Sequence, residues 1–156
     1  MTEQQIQETL TFFEKIGIEA REVTFEEGQT SCVPGISCLG GTLKIDRALL
    51  QFPGDLYYAA GRIAASLPAE RPDLDDNPSP PPALEMAAMA WAFAAAEETG
   101  VGAEHVFHPS GYHGQSTALI EAYRAGTGPG IPLITYFEMA EQYPRLTHWL
   151  RPSPQV

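Results

Sequence analysis

Residues 83–99 constrain the fold most, being Ala-rich with Met86, Met89, Trp91 and Phe93 spread around most of the helical circumference and Gly100 as a stop. A helix that is apolar nearly all round has no face to offer solvent, so it must run through the middle of a domain with other elements against several sides. Its longest uncharged run, 86–96, falls well short of the roughly 20 apolar residues a bilayer span needs, which predicts a core helix and no membrane association. A chain of 156 residues can bury such a helix in one domain, 1–156, without disulfides or a structural metal.

Other segments supply the cover. Thr2 and Gln5 form a capping box for a helix over Glu3–Ile16, whose Ile6, Leu10 and Phe13 recur at helical spacing until Gly17. Residues 18–25 are rich in β-formers, with a slip of apolar phase between Ala20 and Val23 that predicts a bulge or bend. Leu43 and Ile45 alternate with Thr42, Lys44 and Asp46 after the Gly40-Gly41 turn, so a small antiparallel sheet near the N-terminus is expected. Asp55 is the expected cap of a helix after Pro53-Gly54, with Leu56, Ala60, Ile63 and Leu67 as its stripe and Pro68 as its stop. Ser116 is expected to cap a helix through Arg124, Pro132 to open one over 133–142, and Leu146, Trp149 and Leu150 to form a last short turn. The predicted class is α+β, with about five helices around the central one.

Residues 68–82 hold six prolines and four acids with Leu74 as the one large apolar group, which predicts a solvated, mobile loop. Asp73, Asp75, Asp76 and Asn77 suggest calcium, but the glycine and the later bidentate Glu of an EF-hand loop are missing. Nine Lys and Arg against twenty Asp and Glu leave a net charge of −11, which disfavours nucleic acid as a partner. Residues 1–10 lack the basic flank and apolar run of a secretory signal, so a cytoplasmic setting is expected. Cys32 and Cys38 flank Pro34-Gly35 and read as packing cysteines, because their spacing is too long for a zinc pair and no second pair exists. Oligomeric state is not set by any of these features.

Phosphate loops, nucleophile elbows and dinucleotide fingerprints are absent, and Gly126, Gly128 and Gly130 lead into Ile131-Pro132 with no lysine. The segments Pro34-Gly35, Gly40-Gly41-Thr42-Leu43-Lys44-Ile45-Asp46-Arg47 and Phe52-Pro53-Gly54-Asp55-Leu56 are more informative, together with Ala90-Trp91, Phe107-His108, Gly111-Tyr112 and Gly114. In this combination the chain resembles small uncharacterised bacterial zincin-like proteins, in which a similar strand and P-G-D-L turn lead into a helix bearing H-E-A-G-H. The resemblance covers most of the chain and implies a zincin-like fold. An H-E-x-x-H helix holds Zn²⁺ through its two His and uses the Glu as general base. Here the matching window is Tyr58-Ala59-Ala60-Gly61-Arg62, which lacks both ligands and the base.

The degenerate window predicts no bound metal, no cofactor and no zinc-dependent hydrolysis by this helix. Arg62 would place a fixed positive charge near where the metal sits. The resemblance matches Glu85 to the third ligand of gluzincins, and Glu85 is expected to pair with Arg62. Tyr58 beside Arg62 suits a small anionic ligand in the residual cleft. His105, His108 and His113 form a second cluster, with Tyr112 between, on an expected strand-to-loop segment. They offer the alternative of a metal-binding protein or hydrolase, with Cys32 or Cys38 as nucleophile or ligand. A third possibility is a protein partner docking on the acidic loop or on the aromatic tail around Trp149.

Overall fold

The computed structural model describes residues 1–29, 31, 33–76 and 80–154. Cys32 and Asn77, together with what the sequence predicts for them, lie outside the described residues. The order is α1 (Glu3–Ile16), β1 (Ala20–Glu22), β2 (Ile36–Leu39), β3 (Thr42–Ile45), α2 (Asp55–Ala64), α3 (Pro82–Thr99), α4 (Ala103–Val106), α5 (Ser116–Arg124) and α6 (Ile131–Tyr136). Single 3-10 turns occupy Arg71–Asp73 and Tyr112–Gly114. The class is α+β, as expected.

The central helix is α3, with every residue from Ala87 to Ala96 buried except the half-buried Met89. Its small side chains let neighbours approach closely, and α2 makes the closest crossing. A Cβ built on Gly61 would lie 2.6 Å from the Ala88 carbonyl oxygen and 3.0 Å from the Ala88 Cα, so no larger residue fits without separating the helices. The glycine that the resemblance matches inside the HExxH window therefore has a packing reason of its own. Phe13, Tyr57 and Trp91 form an aromatic group at the α1 side of this pair. There the Tyr57 hydroxyl joins those of Thr9 (2.7 Å) and Thr99 (2.9 Å), so three elements share one buried polar network.

The sheet is mixed, in the order β1-β3-β2. The β2–β3 hairpin is antiparallel around Gly40-Gly41, both left-handed. β1 pairs with β3 in parallel, Ala20 opposite Leu43, which corrects the expected all-antiparallel sheet. The reason is placement: β2 reverses the chain and β3 reverses it again, so β3, seated between the others, runs the same way as β1. The buried carboxylate of Asp46 fastens the long connection after β1 by accepting from the backbone N–H groups of Phe25 (2.9 Å) and Ala48 (3.0 Å).

Several expected boundaries shift. α6 stops at Tyr136, well before residue 142, because Glu138 takes a left-handed φ of 61° and the Met139 N–H turns back to the Ile134 carbonyl. The segment around Leu146, Trp149 and Leu150 forms no helix. It packs as a chain of turns and bends, with the Trp149 carbonyl accepting from Trp91 Nε1 (2.9 Å) and the Arg151 N–H capping the Ala64 carbonyl (2.8 Å). The acidic loop is held over its first half. The Gly40 N–H donates to the Leu74 carbonyl, Arg71 donates to the Ile63 and Arg151 carbonyls, and Asp76 accepts from Ser37 Oγ and the Cys38 N–H. Asp76 therefore serves as an acceptor for the edge of β2, where a solvated, mobile loop was expected.

Candidate functional site

The site begins where the chain turns into α2. Gly54 occupies the N-cap position without a side-chain cap, and a Cβ there would overlap the His105 carbonyl oxygen at 1.8 Å. α2 can therefore start flush against α4, which brings its first residue, Asp55, beside the chain leaving α4. Asp55 does not cap its helix, although the sequence suggested that it would. Its Oδ1 instead lies 2.7 Å from His108 Nε2, with both side chains nearly enclosed. Phe52 stacks on the imidazole at 4.1 Å and 9°, and the His108 carbonyl accepts from Ser116 Oγ (2.7 Å) at the start of α5. Ser116 is thus the first helical residue and a tether for His108, whereas a cap was expected.

A single cavity of about 640 Å³ opens in front of this pair. It collects Tyr58 from α2, Glu85 and Met89 from α3, Leu119 from α5, and Tyr112 and His113 from the loop after His108. Five sequence candidates, Tyr58, Glu85, His108, Tyr112 and His113, therefore share one wall system. That loop follows a short helix, α4, where a strand was expected, because the left-handed Gly100 and Gly102 turn the chain straight after α3.

Arg62 is not among them. It is 7 % exposed, so it is not a solvated surface charge, and it lines a separate cavity with Ile36, Cys38, Ala59, Leu74 and Asp75. That cavity, about 10 Å³, has room for roughly one water. Among the described residues no ion pair joins Arg62 to Glu85, which corrects the expected pairing. His105 is exposed on α4 and does not line the large cavity.

Electrostatics follow from enclosure. Burial pushes the Asp55 carboxyl up from its ordinary range, and the hydrogen bond to His108 pulls it part of the way back. Burial likewise raises the Tyr112 phenol, and Asp55, Tyr58, Tyr123 and Glu85 raise it further, so Tyr112 stays a neutral hydroxyl. His108 Nδ1 is buried without a hydrogen-bond partner among the described residues. No group of three or more His, Cys, Asp or Glu among the described residues is arranged to hold a metal ion.

The arrangement can orient an imidazole with a carboxylate, present a second carboxylate, and enclose an apolar body between aromatic faces. Asp55 is the cavity residue that sequence reasoning missed: an acid in the first turn after Pro53-Gly54 reads as a cap, and its partner is 53 residues away. No family model, curated protein or solved structure matches this chain.

Proposed function

We propose that this is a zincin-like protein whose metal site has been lost and whose cleft persists as a small-molecule-binding pocket, without hydrolysis by α2. The supporting observation is that Tyr58, at the position matched to the first HExxH ligand, and Glu85, at the position matched to the third, line the same cavity. Its size falls within the range of small-molecule sites, and its wall is mainly apolar with a few convergent polar groups. Arg62, on which an anionic ligand depended, lines a different cavity, so the ligand's charge is decided by the groups that remain. The same reading sets the protein in the cytoplasm, on the sequence grounds given above.

The test pairs elemental analysis of protein purified without chelator with a fragment titration followed by backbone amide shifts. Substoichiometric zinc together with ligand shifts confined to the segments carrying Tyr58, Glu85 and 108–115 is the expected result. Stoichiometric metal would overturn it.

A second reading has its own observation: a histidine oriented by a buried carboxylate is the arrangement of a general base, which makes His108 with Asp55 the centre of a metal-independent enzyme. Chemical turnover of a bound ligand that is lost in His108→Asn separates this from simple binding.

A further inference from the structure

We infer that the cavity takes a small organic cation, an ammonium group carried on an apolar body, held between Glu85 and the His108–Asp55 pair. This rests on the reading of the cleft as a binding pocket. The sequence alone pointed to an anion, through Arg62; the charges that line the cavity point the other way.

Asp55 and Glu85 are the carboxyl groups on the wall, and no Lys or Arg lines it among the described residues. An anion would meet two carboxylates and no fixed counter-charge, whereas an ammonium meets both. The hydrogen-bonding capacity of the wall has the same sense. The Asp55 carboxylate meets His108 Nε2 at 2.7 Å, and neither carboxylate on the wall has a proton to donate. The site therefore offers carboxylates to a donor-rich ligand, and an ammonium is the small group that supplies both donors and charge.

The rest of the wall suits the body of such a ligand. Tyr58 and Tyr112 contribute aromatic rings, whose quadrupole draws a cation to a face. Met89, Leu119 and Val33 contribute apolar surface. At longer range, a net charge of −11 raises the local concentration of cations over anions.

The test is an amide-shift titration at about neutral pH with two sets matched in shape and differing in charge: tryptamine, tryptophol and indole-3-propionate, and phenethylamine, phenethyl alcohol and hydrocinnamate. The amines are expected to bind about tenfold or more tightly than their alcohols, with the carboxylates weakest. Glu85→Gln, an exposed substitution that leaves the core untouched, is expected to remove most of that advantage while leaving the alcohols unchanged. His108→Asn should weaken the amines as well. Alcohols or carboxylates that match the amines, with shifts still at the pocket, would overturn the cation and leave the pocket reading standing. No pocket shift with any of the six probes would overturn both.

Discussion

Asp55 Oδ1 and His108 Nε2 meet at 2.7 Å across 53 residues of sequence, joining the first turn of α2 to the chain that leaves α4. Because His108 Nδ1 has no partner among the described residues, this single contact carries the hydrogen bonding of the buried ring.

Asp55→Ala should therefore leave an imidazole buried with neither nitrogen satisfied, a loss of about 1–3 kcal/mol. Asp55→Asn keeps an acceptor for the Nε2 proton and should cost less than the alanine variant. Urea unfolding of the three proteins checks the order, and equal midpoints for alanine and asparagine would mean that the contact contributes nothing.

The pH dependence of that comparison has a definite sign. Burial raises the Asp55 carboxyl above its ordinary 3.8, so the folded chain binds this proton more tightly than the unfolded chain. Between the ordinary and the raised value, stability through this group grows as pH falls and is lost as pH rises. His108 pairs with it and Tyr112 and Glu85 line the same cavity, and Asp55→Asn retains all three. Between about pH 7 and about pH 4 the wild-type midpoint should gain on that of Asp55→Asn. The opposite drift would mean that pairing with His108 outweighs burial.

Helical parts of the fold were legible where local chemistry is sufficient. Thr2 and Gln5 cap α1 reciprocally, Gly17 and Gly100 end α1 and α3 in left-handed conformations, and the all-round apolar pattern of α3 puts it at the centre. The direction of β1 was not legible, since it depends on which edge of β3 the long connection leaves open. The end of α6 was hidden as well, because nothing about Glu138 announces a positive φ. For the site, residue types could be nominated but not their convergence. Tyr58 and Arg62 lie one turn apart on α2 and still line different cavities, and Asp55 looked sufficient as a cap because its real partner is remote.

Gly61→Ala tests the helix crossing. Alanine is the better helix former by about 1 kcal/mol, so in an exposed helix the change would stabilise. Here the added methyl meets the Ala88 backbone at 2.6 Å, and backbone cannot swing aside as a side chain can. A net loss of about 1–3 kcal/mol is expected from overpacking. A rise in the unfolding midpoint would show that α2 and α3 separate without cost.

The loop that closes the cavity sets stability against function at His113. Tyr112 and His113 both take left-handed φ values, 58° and 53°, which cost a residue with a Cβ roughly 1 kcal/mol or more each. Tyr112 has compensation, because its ring packs on Phe107 at 5.0 Å and lies 6.3 Å from the His108 ring. His113 is exposed and has no such packing, so its side chain gives the fold nothing that offsets the strain. His113→Gly should therefore leave the unfolding midpoint unchanged or raise it, while a β-branched valine should lower it by about 1 kcal/mol or more. If the imidazole is retained for what enters the cavity, the glycine variant that folds as well as wild type should bind tryptamine more weakly. Unchanged tryptamine affinity would remove His113 from the binding surface and confine recognition to Glu85, Tyr58 and the Asp55–His108 pair.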